Sequence, residues 1–292
     1  MIDIHAIDGE AELRQLEALQ RDVWQMSDVE IIPVRMMHAL QFNGSLLLGA
    51  FDGARLVGFL LGVLGTRLTT MLPPTPAGAG QHQLYSVIMG VLPGYQNQHV
   101  GYRLKLAQRD FARRRGLALV TWTYDPLEGR NAWLNIGRLG AVCGHYLRNF
   151  HGEMTGINAG LASDRFYVAW WVGSEHVTGR LAPQRPRPDY AALLAGGAVP
   201  LNTPTGGGPG LAIPPAGFVH SDQPLLLAEI PADFQRLKQQ DMPLARQWRD
   251  HTRQLFEHYF AAGYQVTDFV RSDPGRAFYT LERASARTNE VV

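Results

Sequence analysis

Apolar and polar residues alternate in the opening segment, Ile2-Asp-Ile-His-Ala-Ile, which is the period of a half-buried strand. From Glu10 to Trp24 the period lengthens, and Leu13, Leu16, Leu19, Gln20 and Val23 share one helical face. Pro33 suits a first helical position and predicts a second, short helix through Met36, Met37, Leu40 and Gln41. Leu46 to Phe51, the turn Asp52-Gly53 and Arg55 to Leu64 read as a β-hairpin. A loop rich in Pro, Gly and Thr over residues 66–82 leads into a strand from Leu84 to Leu92.

A helix from about Val100 to Arg115 then presents Leu104, Ala107, Gln108 and Phe111 on one face and stops at Gly116. Leu117 to Tyr124 is a buried-looking strand broken by Asp125-Pro126. Arg130 to Leu139 returns to helix, with a glycine stop at Gly140, and Arg165 to Val172 is a further strand. The order β-α-α-β-β-β-α-β-α-β predicts an α/β chain with a mixed, α+β type of sheet over residues 1–172.

Residues 173–224 read as a linker, because 8 Pro and 7 Gly fall in the 35 positions from Pro183 to Gly217. Such a stretch stays extended unless a neighbour pins it. Gly206-Gly-Gly-Pro-Gly is not a phosphate-binding P-loop, since no Gly-Lys-Ser/Thr follows. Beyond it, residues 225–292 form a smaller α/β half. Leu225 to Ile230 is a strand and Pro243 to Ala262 an amphipathic helix ending at Gly263. Tyr264 to Arg271 and Ala277 to Leu281 flank the turn Ser272-Asp-Pro-Gly275. About 60 residues bury little surface alone, so this half is expected to dock on the first domain or on a partner chain, as in a homodimer.

Composition narrows the classes. Hydrophobic content of 46% with 18% charged residues fits a folded chain, and a net charge of +1 gives no reason to expect nucleic acid or an acidic membrane as partner. Cys143 is the single cysteine, so no intrachain disulfide forms and a reducing cytoplasm is expected. The first residues lack the basic and apolar regions of a signal peptide, and Leu56 to Gly65 is too short to span a bilayer. The ten histidines show no metal-ligand spacing, so no metal site is argued.

The segment carrying most chemistry lies between the strand ending at Val91 and the helix beginning near Val100. Pro93-Gly94 opens a loop, Gln96-Asn97-Gln98-His99-Val100-Gly101, that runs directly into helix. First-turn amides lack intrahelical partners and carry the positive end of the helix dipole, which is the geometry for holding a diphosphate.

This loop resembles motif A of the GNAT (Gcn5-related N-acetyltransferase) superfamily, Gln/Arg-x-x-Gly-x-Gly/Ala. Gln96 and Gly101 fit it, and His99 stands in the place of the first glycine. The element order over residues 1–172 resembles the GNAT fold, and the C-terminal helix, glycine-aromatic and hairpin resemble how such a domain finishes. The resemblance implies acetyl-CoA or another acyl-CoA as co-substrate. It places the pyrophosphate on Gln96, Asn97, Gln98, His99, Val100, Gly101, Tyr102 and Arg103, and the pantetheine arm on the backbone of Met89, Gly90 and Val91. It further implies that Asn131 or Asn135 reaches the cofactor from the later helix. The segment Asp125-Pro-Leu-Glu-Gly-Arg-Asn-Ala resembles a subgroup of about this length, some members of which are associated with N-succinylation of amino acids.

The family's customary acid and base are absent. Val87 occupies the usual glutamate position and Ile136 the usual tyrosine. Tyr85, Tyr124, Tyr146 and Glu30 are the substitutes near the expected cleft. Nothing in the sequence pairs Cys143 with a base, so direct attack by a neutral amine is expected rather than an acyl-enzyme. Three readings stand: a CoA-dependent N-acyltransferase acting on a small amine or amino acid, a non-catalytic CoA-binding regulatory module, and an interaction protein acting through its second half.

Overall fold

The computed structural model describes residues 1–24, 30–66, 82–152, 160–183, 187–206, 211–272 and 275–284. Most of the loop expected at 66–82, Gly207 to Gly210 of the glycine run, and Asp273-Pro274 of the C-terminal turn lie outside the described residues. The chain groups into two compact units that divide between Trp122 and Thr123, whereas composition places the boundaries at 172 and 225.

The first unit contains β1 (Asp3–Ala6), α1 (Gly9–Trp24), α2 (Val34–Phe42), β2 (Leu46–Asp52), β3 (Arg55–Thr66), β4 (His82–Val91), α3 (Val100–Arg114) and most of β5 (Leu119–Tyr124). The strands lie in the order β1-β2-β3-β4-β5, antiparallel except for β4 and β5. The helices take opposite faces, and the strand pleat shows why. A Cβ on Gly58 would meet Val100 of α3, whereas Phe59, the next residue, packs edge-on against Trp24 of α1. The core between these layers includes Leu13, Leu16, Met37, Leu60, Leu84 and Leu104.

Unit two begins with the end of β5 and contains α4 (Gly129–Ala132), which widens into a π-helix over Trp133–Arg138. There follow β6 (Val142–Leu147), β7 (Arg165–Trp171), α5 (Glu175–Leu181), α6 (Tyr190–Ala195), β8 (Val199–Pro200), β9 (Leu225–Ile230), α7 (Phe234–Gln240), α8 (Met242–Ala261), β10 (Tyr264–Ser272) and β11 (Arg276–Arg283). Its strand order is β7-β6-β10-β11-β9-β8. β6 was not expected, because Val-Cys-Gly-His-Tyr-Leu carries a mid-strand glycine and no clean alternation. It joins β7 on one edge, and its Cys143 pairs with Val266 of β10. That pairing places the C-terminal hairpin in one sheet with β6 and β7, which is why the division falls earlier than composition suggests.

The segment expected to be a linker is pinned to its neighbours. It contains α5, capped by Ser174, α6, capped by Asp189, and β8, which pairs with β9. Leu201 N–H donates to Leu227 O, and the Asn202 side chain bonds both backbone groups of Glu229. Residues 211–223 then run as a strap held from below. Trp248 Nε1 donates to Ala212 O at 2.7 Å, and Tyr264 Oη donates to Gln223 O at 2.9 Å. Tyr259 Oη donates to Val219 O at 2.7 Å while accepting from Ser221 N–H at 3.1 Å. Tyr259 is buried, so removing its hydroxyl leaves two strap groups without their partner. Tyr259→Phe should destabilise the protein by about 1–3 kcal/mol in urea denaturation, and an unchanged midpoint would show that the strap does not depend on this hydroxyl.

Candidate functional site

β4 and β5 share only two register pairs, Leu84 with Val120 and Tyr85 with Thr121. Beyond them β4 continues through Val91 in pairing with β3 alone, so residues 86–91 turn one backbone edge away from any strand partner among the described residues. At the end of this stretch Leu92 N–H donates to Val57 O on the β3 side. Strand alternation therefore turns Val91 N–H to the opposite edge. Met89, Gly90 and Val91 all lie on this half-paired stretch. Gly90 has a packing reason to be glycine, since an added Cβ would sit 2.5 Å from the Trp24 ring.

The loop that follows is tied back to the strand by its own glutamines. Gln96 Nε2 donates to Val91 O at 3.1 Å, and Gln98 Nε2 donates to Gly94 O at 3.0 Å. Asn97 and His99 both adopt the left-handed conformation, with φ of 63° and 61°. A left-handed residue just before a helix turns the chain sharply, and His99 does here what a glycine does without steric cost. The helical ladder starts with Arg103 N–H to His99 O, so the amides of Val100 and Gly101 precede it at the positive end of a 15-residue helix. Tyr102 lies in the same turn. Arg103 Nη2 donates to Ile2 O at 2.8 Å, which anchors α3 to the strand that opens the chain.

Ser86 and Trp122 stand just past the last pairs of β4 and β5, and Lys105 of α3 reaches between them. Its Nζ donates to Ser86 Oγ at 2.9 Å and to Gln108 Oε1 at 3.1 Å, and lies 3.7 Å from the centroid of the Trp122 ring. The lysine is 2% exposed, and burial pushes its pKa well below the ordinary lysine value. Sequence reading missed it, although its place beside Leu104 and three residues before Gln108 put it on the buried stripe of α3.

The candidate acid–base residues separate by unit. In the first, Tyr85 is half-buried on β4, and Glu30 is exposed ahead of α2. Val87, at the position where the resemblance led us to look for a glutamate, is 41% exposed. In the second unit, Tyr124 and Tyr146 both meet the Phe166 ring edge-on at 5.9 Å. Tyr124 Oη lies 3.1 Å from Tyr279 Oη, and Tyr146 Oη donates to Asp164 Oδ2 at 2.7 Å. Burial raises the pKa of both tyrosines, so both stay protonated at neutral pH. Asn131 is exposed on α4, and Asn135 is buried in the π-helix, where its carbonyl accepts from Ala141 N–H. Ile136 is fully buried. Cys143 is buried too, with its thiol directed at His145 O and Tyr167 O, and burial pushes its pKa up, away from thiolate chemistry. Among the described residues no group of three or more His, Cys, Asp or Glu could hold a metal ion, and no helix is long and apolar enough to cross a membrane.

No protein-family model matches the sequence, and none of the curated proteins matches it. Solved structures do. Solved structures similar to this chain include acetyltransferases of the GNAT family. The ribosomal-protein-S18-alanine N-acetyltransferase of Escherichia coli is 15% identical, with a TM-score of 0.45 over 59% of this chain and 94% of its own. NAA60 of Arabidopsis thaliana, solved in complex with acetyl-CoA, is 15% identical, with a TM-score of 0.48 over 59% and 99%. An acetyltransferase of the GNAT family from Streptococcus pneumoniae is 14% identical, with a TM-score of 0.44 over 58% and 98%.

The left-handed turn and the buried lysine can each be tested. A β-branched residue tolerates positive φ poorly, so His99→Val should cost about 1–2 kcal/mol of stability, read by thermal or urea unfolding. Lys105 titrates lower in the folded chain than the ~10.4 of an unfolded lysine, so between the two values the unfolded chain binds the extra proton. The lysine's contribution to stability should therefore rise with pH up to about 10. The stability difference between wild type and Lys105→Met should grow in favour of wild type from pH 7 to 10. A difference that stays flat would mean that the lysine is charged in the folded state.

Proposed function

We propose that the first unit binds an acyl-coenzyme A and that the protein is an N-acyltransferase. It would move an acetyl or other short acyl group, succinyl included, to the amine of a small molecule or amino acid. The observation that carries this reading is the fork: β4 leaves β5 after Tyr85 and runs on with an unpaired edge into a left-handed turn and a helix N-terminus. An extended chain with amide groups can add to such an edge as a further strand, and a diphosphate suits the helix start. Pantetheine and pyrophosphate are joined in that order in coenzyme A, and edge and loop follow one another in the same order here.

Bound there, acyl-coenzyme A would supply an activated thioester. The residues that would hold it are Met89, Gly90 and Val91 by backbone, and the loop from Gln96 to Gly101. Val91 N–H, turned to the open edge, would donate to the oxygen that gains charge as an amine adds to the carbonyl. The fixed loop contributes positioning, which for an activated ester and a neutral amine is a large part of the rate. The buried, protonated Cys143 supports direct attack with no acyl-enzyme. A phenol suits the return of a proton to the leaving thiolate, and Tyr85 is the candidate within the first unit, with Glu30 as a candidate base. The lone free thiol is in keeping with a reducing, cytoplasmic setting.

Titrating acetyl-CoA and succinyl-CoA against melting temperature tests the binding step. At a hundredfold excess over Kd the stabilisation should be about 2.7 kcal/mol. Gly101→Val should abolish it while the fold remains, and a variant that binds like wild type would put the site elsewhere. Binding without turnover on any amine would favour the non-catalytic reading, for which Val87 and Ile136 speak. Cys143→Ala should keep most of the activity, and an acyl-cysteine trapped by mass spectrometry would overturn direct attack.

A further inference from the structure

Among the described residues the two most enclosed basic side chains are each 2% exposed, and they are partnered differently. Arg249 of α8 donates to the carboxylate of Asp125. The described partners of Lys105 on α3 are a hydroxyl, an amide oxygen and the face of an indole, with no carboxylate among them. A lysine in dry surroundings without a counter-charge costs stability. A methionine would fill the same stripe of α3 without that cost, so the amine calls for a reason beyond packing.

Its place in the sheet supplies one. The ladder between β4 and β5 ends at Tyr85 and Thr121, and the next rung would join Ser86 to Trp122. Those are the two strand residues that Nζ meets, 2.9 Å from the hydroxyl and 3.7 Å from the ring centroid. The amine therefore stands at the first rung that is not made. Ser86 and Trp122 are both 5% exposed, so these contacts lie out of reach of bulk water. Gln108, one turn further along α3, holds the amine from behind, its Oε1 accepting at 3.1 Å. Glycine on β3 makes room for that amide. Gly62 pairs with Ser86 across the β3–β4 ladder, and a Cβ on it would lie 3.1 Å from Gln108 Nε2.

We propose that Lys105 is a positioning residue for acyl-coenzyme A. It braces β4 and β5 at the rung where they part, and so holds ready the open backbone edge that receives the pantetheine arm. The inference rests on the acyl-coenzyme A reading of that edge and adds to it a residue that nothing in the loop or the strand supplies. A contact to each strand from a third element fixes their spacing before the ligand arrives. An edge already in place lowers the ordering cost of binding. The brace acts through Ser86 and Trp122 on the arm of the cofactor, and leaves the diphosphate to the loop and the helix start.

That division gives the test, which uses the full-length protein and two ligands followed by calorimetry. Acetyl-CoA carries both the diphosphate and the arm, whereas ADP carries a diphosphate and no arm. Lys105→Met keeps the length and the apolar stem but loses the donors, and Ser86→Ala removes only the hydroxyl on β4. Kd for acetyl-CoA should rise about tenfold in the first variant and several-fold in the second, with Kd for ADP unchanged in both. Ser86→Ala keeps the test intact should Lys105→Met fail to fold. Wild-type affinity for acetyl-CoA in the folded variants would overturn the brace while leaving the acyl-coenzyme A reading in place. An equal loss for ADP would overturn it too, since general loosening of the unit weakens both ligands alike. A wild-type protein that binds neither ligand would overturn the acyl-coenzyme A reading itself, and the brace with it.

Discussion

Two neighbouring parallel strands that part company after two register pairs set the terms for the first unit. A strand edge left unpaired inside a folded chain carries backbone donors and acceptors that must be satisfied. The chain holds β4 by pairing its other side with β3, with a register shift at Val87, and closes the start of the gap with Lys105, which touches both strands from α3. The loop beyond β4 is equally determined. Two glutamine side chains fold it onto the strand, and two left-handed residues aim the chain into α3. A buried lysine, two strained φ angles and an unpaired edge all work against stability, and their concentration within one strand–loop–helix unit is what separates this region from an ordinary β–α connection.

Much of the architecture was legible in the sequence because most of its elements are locally consistent. The alternation of Ile2 to Ile7, the stripe of α1, the Asp-Gly hairpin and the helix from Val100 each match what local propensity asks for. The unexpected elements had weaker signals. β6 has glycine at its centre, and α7 is only seven residues long and lies directly before α8. α5 and α6 sit in a stretch whose Pro and Gly content masks two capping residues, Ser174 and Asp189. The division of the chain was hidden for a different reason. It depends on Cys143 pairing with Val266, a contact between residues far apart in sequence that no local pattern announces.

At the candidate sites the difference is one of charge. The loop could be found from Gln96 and Gly101, since backbone requirements leave their mark as glycine, proline and capping residues. Lys105 and Arg249 could not be singled out, because a charged residue in a helix ordinarily lies on the solvated face. The only hint was position. Lys105 falls on the stripe with Gln108 and Ala112, and Arg249 follows Ala245 by one turn and precedes Thr252 by another, all of them buried. Charges placed on buried stripes are the features of a sequence most easily passed over.

The strap of residues 211–223 shows how information can be stored away from the segment it shapes. Trp248, Tyr259 and Tyr264 grip it by Ala212, Val219, Ser221 and Gln223, and in every case the atom held is a backbone nitrogen or oxygen. None of these bonds reads a strap side chain. The backbone path of the strap is therefore written mostly in α8 and β10, with Val219 N–H held by Leu201 O as well, and of its side chains Phe218 packs against His251, His258 and Tyr259. Related chains should then differ along this stretch more readily at positions other than Phe218 and His220, while keeping an indole and two phenols on the elements beneath it.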